Sequence, residues 1–363
     1  MLLKQVQCVN FRNYKQVSLG GFSSINFFLG DNGEGKTSLL EAIHVALRGR
    51  SFKPYVSDHL IRKGEERASV FLKIEEDEGS SEIEILLDGS KKRIWYCGKK
   101  VSPYFLSKKF PLFVFTEQSL KAIRQGPQER RDFIDQILLG RGEKEALISF
   151  SRILKEKNQL LKSLKKDEIS EGDFENTLEV LNQQFLQKAF VLTQARLALL
   201  REILKNIHKV SSKFFENPVE LGFKYQIHGR DILGEETCLK ALKEDMKNKQ
   251  EIEKQVASCL SGPHKHEIIF LYNNQDSRSY CSQGQQRTLL LTLLGTQLKE
   301  AQNTFLFLDD VLMELDEKTV EKTLDFLGEI PCQTFLTNCK KIPLTRRNTS
   351  FFQVKNGTIK LDE

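Results

Sequence analysis

The sequence predicts an α/β protein in which a phosphate-binding-loop sheet and an antiparallel β subdomain form one head, interrupted by an inserted helical lobe. Three observations predict it. An apolar run, Ile25 to Leu29, stops at Gly30, and a glycine-rich loop leads into the helical pattern Leu39-Leu40-Glu41-Ala42-Ile43. Both ends of the chain are rich in short alternating or continuous apolar runs. From about Gln128 to Leu260 the pattern instead has a helical period and is rich in Lys, Glu and Gln. The predicted domains are therefore a discontinuous head, 1–125 with 261–363, and a helical lobe, 126–260.

The loop reads Gly30-Asp31-Asn32-Gly33-Glu34-Gly35-Lys36-Thr37, the pattern G-x-x-x-x-G-K-[ST] between a strand and a helix. Gly30, Gly33 and Gly35 let the backbone turn tightly and bring its N–H groups to phosphate oxygens. The helix that follows aims its positive end at the same anion. In this pattern Lys36 reaches the β- and γ-phosphates and the Thr37 hydroxyl ligates Mg²⁺. A lone loop does not separate kinases, GTPases and ATPases; the motifs late in the chain do, and together they predict ATP and Mg²⁺ as cofactors.

Length and composition bound the remaining possibilities. With 363 residues, 39% hydrophobic and 29% charged, the chain can bury a full core. A net charge of +6 permits a polyanionic partner without demanding one. No run approaches the roughly 18 apolar residues that a membrane span needs. The N-terminus lacks signal-peptide character, and the seven Cys are scattered, so a reducing, cytoplasmic setting without membrane contact is expected.

In chain order, Val6 and Cys8 alternate with polar neighbours and mark a first strand, followed by Phe11-Arg12-Asn13-Tyr14. After the loop helix comes a basic turn, Arg48 to Lys53. Val70, Leu72 and Ile74 alternate, as do Ile83, Ile85 and Leu87; Asp88-Gly89 supplies a turn, and Arg93 to Cys97 a return strand. Lys91-Lys92-Arg93, Lys99-Lys100 and Lys108-Lys109 suit either lysine-protected sheet edges or a phosphate-backbone track. Leu112 to Phe115 is a short strand ending near Gln118.

In the middle of the chain, Phe150, Ile153, Leu154, Leu160, Leu161 and Leu164 form one helical stripe; Leu178, Leu181, Phe185, Ala189, Leu192, Leu199, Ile203 and Ile207 form another. The stretch 165–173, containing Gly172, turns one helix back on the next as an antiparallel, coiled-coil-like pair. Leu221 to Ile227 reads as an isolated strand. Gly262-Pro263-His264 breaks the helices, and Ile268 to Leu271, Thr304 to Leu308 and Gln333 to Leu336 read as strands buried on both faces. Asn356-Gly357 predicts a terminal hairpin.

Leu306-Phe307-Leu308-Asp309-Asp310 places two carboxylates at a strand end: Asp309 for Mg²⁺ and Asp310 as general base for the attacking water. Cys281-Ser282-Gln283-Gly284-Gln285 precedes a helical run and resembles the signature motif of ABC-type ATPases, with Ser282 and Gly284 placed to donate to a γ-phosphate. A plain helix cap would also account for this turn. Gln118 resembles the Q-loop glutamine that senses Mg²⁺ and water, and Glu314-Leu315-Asp316 the D-loop, with Met313 where Ser is usual. Thr337 and Asn338 stand where transporters carry a switch histidine. His264 and His266 lack further ligands at metal spacing, so no metal is expected there.

Several motifs in order resemble the RecF family of bacterial recombination mediators. They are F-R-N-Y at Phe11–Tyr14, G-D-N-G-E-G-K-T-S-L-L-E-A-I at Gly30–Ile43, G-R-S-F at Gly49–Phe52, and G-P-Q-E-R-R-D-F-I-D at Gly126–Asp135. G-P-H at Gly262–His264, S-Q-G-Q at Ser282–Gln285 and L-D-D-V-L-M-E-L-D at Leu308–Asp316 complete the set. Thr116-Glu117 replaces the usual Ser-Pro, and Lys265 the usual Arg. The resemblance implies an ABC-ATPase-like head and a weak, DNA-stimulated ATPase. It further implies an ATP-dependent homodimer that binds single-stranded, gapped or junction DNA and works with RecR and RecO to load RecA in the SOS response.

Other ABC-type ATPases fit less well. A transporter subunit would have a shorter segment than the about 160 residues between Gln118 and Ser282, and a switch histidine. An SMC-like chromosome protein would need hundreds of residues of heptads. A DNA-binding module with a vestigial nucleotide site would not need Lys36, Thr37, Asp309 and Asp310 intact, and a GTPase would need an N-K-x-D motif. Lys91, Lys92, Arg93, Arg130 and Arg131 are the candidate DNA contacts.

Overall fold

In the computed structural model, two six-stranded sheets trap the phosphate-loop helix between them. The structure describes residues 1–53, 59–77, 79–215, 217–232, 235–298, 303–312, 315–339 and 348–362. The chain opens with β1 (Leu2–Phe11), β2 (Tyr14–Gly20), β3 (Ile25–Leu29) and α1 (Lys36–Arg48). It continues through β4 (Arg67–Glu76), β5 (Gly79–Asp88), β6 (Lys91–Tyr96), β7 (Lys99–Lys100), α2 (Pro103–Lys109) and β8 (Leu112–Thr116). The middle holds α3 (Glu117–Arg124), α4 (Pro127–Gly140), α5 (Glu145–Lys165), α6 (Glu171–Phe214), β9 (Leu221–Ile227), β10 (Arg230–Asp231) and α7 (Glu235–Val256). Then come β11 (Glu267–Tyr272), β12 (Gln275–Asp276), α8 (Ser277–Tyr280) and α9 (Gln283–Leu298). The C-terminal part is β13 (Thr304–Asp309), α10 (Glu317–Glu329), β14 (Cys332–Asn338), β15 (Thr349–Lys355) and β16 (Thr358–Asp362).

Two compact units result. The first comprises 1–118, 140–142 and 294–363; the second comprises 119–139 and 143–293. The sequence placed 119–125 and 261–293 in the head and 140–142 in the lobe, whereas the first two segments group with the helical unit and the third with the head; the later division falls within α9.

In the first unit, one sheet is antiparallel in the order β2-β1-β4-β5-β6-β7. The other has the order β16-β15-β3-β14-β13-β8, and β15, β3, β14, β13 and β8 run parallel. Helix α1 buries nearly every residue from Leu39 to Leu47, the behaviour of a helix enclosed on all sides. Leu39, Leu40 and Ile43 share one core with Val6, Val70 and Ile85 of the first sheet and with Phe28, Phe307, Phe335 and Phe352 of the second. Each fully buried Leu or Phe stabilises this core by about 1.5–3 kcal/mol. The hairpin β15–β16 turns through Asn356 (φ 49°) and Gly357 (φ 71°), the left-handed pair that a two-residue turn requires.

The second unit is built on α5 and α6. Ser170 caps α6 by accepting from the Asp173 N–H, so the turn precedes Gly172, which lies inside the helix. At about 1.5 Å per residue, the 44 residues of α6 span roughly 66 Å. The strand at Leu221–Ile227 is not isolated: β9 pairs with β11 and β10 in a four-stranded sheet. Strand β11 is antiparallel and alternates in burial, so its apolar run is not that of a strand buried on both faces. No described helix is long and apolar enough to cross a membrane.

The family-like motifs of this unit are structural brackets. Glu253 accepts from Leu260 N, Ser261 N and Ser261 Oγ, each at 2.7 Å, and pairs with Lys157 at 2.9 Å with both side chains buried. Arg196 grips Asp135 with two bonds of 2.7 and 2.8 Å and donates to Pro263 O. Gly262 has φ 106°, and a Cβ there would lie 2.8 Å from the Phe185 ring. The buried charges of Lys157, Glu253 and Arg196 thus each have an opposite partner, as burial of charge requires.

Candidate nucleotide site

The parallel strands end together. Register aligns Leu29 of β3 with Asn338 of β14, and Thr337 of β14 with Asp309 of β13. Gly30, Cys339 and Asp310 therefore leave the sheet at its carboxyl edge, where open α/β sheets bind ligands.

The loop from Gly30 to Gly35 is held from three sides of the first unit. Asn13 Nδ2 donates to Glu34 O at 3.0 Å, and Tyr14 Oη donates to Gly35 O at 2.8 Å. Glu34 accepts from the Asn356 N–H of the terminal hairpin. Gly30 (φ 156°) lies against β15, where a Cβ would lie 2.3 Å from Val354 O; at Gly35 (φ 116°) a Cβ would lie 2.4 Å from Asn13 Nδ2. These two close approaches are the physical reason for glycine there. Gly33 (φ 88°) faces open space, leaving room for an anion over the loop.

The buried Lys36 ammonium donates to Gly30 O at 2.7 Å and Asp31 O at 3.0 Å, inside the loop it would serve. Asn32 accepts from Cys339 Sγ at 3.1 Å. Behind the loop, Glu41 binds the Arg12 guanidinium through two bonds of 2.7 Å and also accepts from Ser51 Oγ. F-R-N-Y and G-R-S-F thus brace the loop and its helix. The sequence displayed these runs, but nothing in their spacing assigned them that task.

Thr37 Oγ1 donates to Asp309 Oδ1 at 2.8 Å, and Thr337 Oγ1 lies 2.8 Å from the same oxygen. Burial raises the Asp309 carboxyl above its ordinary value, and neighbouring Asp310 adds to this; the Thr37 and Thr337 hydroxyls and the Lys53 charge oppose it without cancelling it. A hydroxyl and a buried carboxylate are hard oxygen donors of the kind Mg²⁺ takes, so Thr37 and Asp309 fit that ion. Asp310 follows in the left-handed region at φ 54°, and its N–H donates to Thr337 Oγ1 at 2.9 Å. Thr337, in the place of a switch histidine, thus ties both carboxylate residues to β14.

The remaining expected site residues sit as follows. Gln118 belongs to α3, directly after β8, and its side chain lies outside the described residues. Met313 and Glu314 lie outside them too, whereas Asp316 caps α10 by accepting from Thr319 N at 2.8 Å. In the second unit, Ser282 and Gln285 form a reciprocal capping box on α9. The Ser282 N–H donates to Gln285 Oε1 at 2.9 Å, and the Gln285 N–H donates to Ser282 Oγ at 3.3 Å. A Cβ on Gly284 would meet only open space.

Two candidate DNA contacts are corrected. Arg130 and Arg131 are buried: Arg130 pairs with Glu267 at 2.8 Å, and Arg131 donates to His266 O at 2.6 Å and to Gln128. They hold α4 to β11 and are closed to a phosphate backbone. Lys91, Lys92 and Arg93 are exposed. His264 Nε2 donates to Cys259 O and His266 bonds Tyr225; burial pushes both below the ordinary imidazole value, His264 to about 4. No cluster of metal-binding side chains occurs among the described residues.

Comparison with known proteins identifies the chain's relatives. The RecF/RecN/SMC N terminal domain profile matches residues 2–360. A DNA replication and repair protein RecF from Clostridium perfringens is 30% identical over 373 residues, with 99% of each chain covered. Another, from Thermoanaerobacter sp. (strain X514), is 29% identical over 368 residues at the same coverage. Among solved structures, the recombination mediator protein RecF-ATPrS in the RecFOR pathway superimposes with a TM-score of 0.85 at 26% identity, covering 99% of this chain and 98% of that one. An Smc head bound to the C-winged helix domain of ScpA shares the fold at a TM-score of 0.58 and 16% identity, covering 100% of this chain and 97% of that one. The chain therefore belongs to the RecF family, within the wider group that shares the RecF/RecN/SMC N-terminal domain.

Proposed function

We propose that this chain is an ATP-hydrolysing DNA-binding protein of recombinational repair and replication restart. It dimerises with ATP on single-stranded, gapped or junction DNA and, with RecR and RecO, helps load RecA. The observation that carries the ATPase reading is the Thr37–Asp309 bond of 2.8 Å beside a braced phosphate loop. The repair reading is supported by the RecF relatives, and the nucleotide by the RecF-ATPrS and RecF-ATP structures at 26% and 25% identity.

The loop N–H groups and Lys36 bind the β- and γ-phosphates; to do so Lys36 exchanges its Gly30 and Asp31 carbonyls for phosphate oxygens. Thr37 and Asp309 would hold Mg²⁺, which when bound neutralises charge on the phosphates. Asp310, at the sheet edge, orients a water and takes its proton as the water oxygen attacks the γ-phosphorus and ADP leaves. Gln118 helps position that water. Ser282 and Gly284, at the start of α9, donate to the γ-phosphate held by a second copy of the chain. Catalysis here is positioning and charge stabilisation. Slow turnover that rises with DNA is what the RecF resemblance implies.

The test is ATP turnover with and without gapped duplex DNA, with sedimentation of the same samples. Expected are turnover that increases with DNA and a dimer with ATP but not ADP. A monomer in ATP, or turnover indifferent to DNA, would remove the reading.

A further inference from the structure

We propose that the rim of the first unit formed by β6, β7 and α2 takes single-stranded DNA, with Trp95 as a base-stacking platform and the surrounding cations on the phosphates. The inference rests on the DNA-binding reading above and names a surface for it.

Charge comes first. Between Asp88 and Glu117 the sequence has no acid, but it has seven cations: Lys91, Lys92, Arg93, Lys99, Lys100, Lys108 and Lys109. Lys109 is committed to Glu76 at 2.7 Å, and Lys92 donates to Gly49 O. Lys91, Arg93, Lys99 and Lys100 are exposed, and none joins an ion pair among the described residues.

Strand geometry then places the ring. Alternation along β6 sends Ile94 and Tyr96 inward: Ile94 is buried, and the Tyr96 ring packs on Phe105 and Phe110. Arg93 and Trp95 therefore share the outer face, with Lys100 of β7 directly opposite Trp95. Trp95 is half-buried there, and Phe105 of α2 is 42% exposed across the rim. Lysines alone would be sufficient to protect a sheet edge, but that task needs charge and gives no reason for an outward indole. An aromatic face flanked by a guanidinium two residues away and an ammonium across the strand is what single-strand sites combine. On its other side Trp95 has Glu84 of β5 directly opposite; Glu84, exposed Glu82, and Asp88 beside Arg67 bound the surface on the sheet side. A polyanion is thereby kept on the rim. An acidic peptide would satisfy the cations but leave the indole unused.

Trp95 is the chain's one tryptophan, so its fluorescence reports this surface alone. Titrating the full chain with oligothymidylate should quench Trp95 emission. Trp95→Ala should weaken oligothymidylate binding about 10-fold, within the range for one stacked base, while Trp95→Phe retains most of it. Arg93→Gln with Lys100→Gln should lower the salt slope by about 0.7 per lost phosphate contact. Binding of gapped duplex DNA, followed by anisotropy, separates the two readings. If gapped DNA binds while Trp95 emission and the Trp95→Ala affinity for oligothymidylate stay unchanged, this surface is refuted and the DNA-binding reading survives. If polyglutamate quenches Trp95 as strongly as oligothymidylate, stacking is refuted. If no DNA binds at all, the DNA-binding reading itself fails.

Discussion

Thr37 Oγ1 and Asp309 Oδ1 are 2.8 Å apart, although the residues stand 272 positions apart in sequence. Parallel pairing in the order β3-β14-β13 brings them together. Thr337 binds the same oxygen, so this carboxylate is held before any ligand arrives. Burial raises its pKa, and a raised pKa means that the folded state is stabilised by protonation, at pH below the unfolded value, and loses that stabilisation as pH rises. At neutral pH the ionised group thus costs stability. Asp309→Asn should leave Tm unchanged or higher while lowering ATP hydrolysis on the order of 100-fold. Wild-type turnover in this variant would show that Asp309 has no part in holding Mg²⁺.

Asp310 is a separate test of chemistry. Its φ of 54° is a conformation that Asn tolerates well. Asp310→Asn should therefore fold normally, bind ATP, and accumulate as an ATP-bound dimer with hydrolysis down on the order of 100-fold. Hydrolysis at the wild-type rate would assign the general base elsewhere.

The brace on the phosphate loop predicts a milder phenotype. Tyr14 is fully buried, and its hydroxyl meets Gly35 O. Tyr14→Phe removes that one bond, worth about 1 kcal/mol. ATP affinity should fall several-fold in equilibrium titration while Tm falls by only a few degrees. An unchanged affinity would make the brace irrelevant to nucleotide binding.

What was legible in the sequence depended on how local its cause is. The phosphate loop, the Asp309–Asp310 strand end and the Asn356-Gly357 turn are set by neighbours in the chain, and each residue type answers a local need. Burial is not local in this way. Arg130 and Arg131 read as charge on a helix, yet Glu267 and the His266 carbonyl, more than 130 positions away, take them inside. Likewise, Ile268 to Leu271 is a continuous apolar run that suits either a doubly buried parallel strand or an antiparallel one, and β9 decided the matter by pairing with it. The Ser282 turn fitted both a signature motif and a helix cap, and the capping box is what the chain forms by itself.

The bracket at Glu253 gives a pH dependence. Burial alone would raise this carboxyl, but the Lys157 ammonium at 2.9 Å and the donors from Ser261 and Leu260 outweigh it and hold it below its ordinary value of 4.5. A depressed pKa contributes stability above 4.5 that is lost as pH falls through the folded value. Glu253→Gln leaves Lys157 buried and unpaired, at about 3–5 kcal/mol. It should lower Tm on the order of 10 °C at neutral pH. The difference from wild type should shrink in acid, below pH 4.5. A gap that stays constant with pH would mean that Glu253 is protonated throughout.

The last expectation concerns Ser282, where structure changes the choice of variant. Because Ser282 caps α9, Ser282→Arg would remove a cap worth about 1 kcal/mol as well as block the turn, so its failure would be ambiguous. Asp caps helices as well as Ser does, and it places a negative charge where a γ-phosphate would dock. Ser282→Asp should therefore keep the Tm and ATP affinity of the wild type, yet stay monomeric in ATP by sedimentation and lose hydrolysis. Lys36→Ala should instead lose tight ATP binding, since its ammonium is the loop's fixed cation. Mixing the two variants sharpens the test. In a heterodimer, one composite site pairs the intact loop of the Ser282→Asp copy with the intact turn of the Lys36→Ala copy and is complete, whereas the other pairs the damaged loop with the blocked turn. Hydrolysis in that mixture should therefore rise above that of either variant alone. Absence of any recovery, or dimerisation of Ser282→Asp alone with ATP, would refute a site built from the loop of one copy and the turn of another.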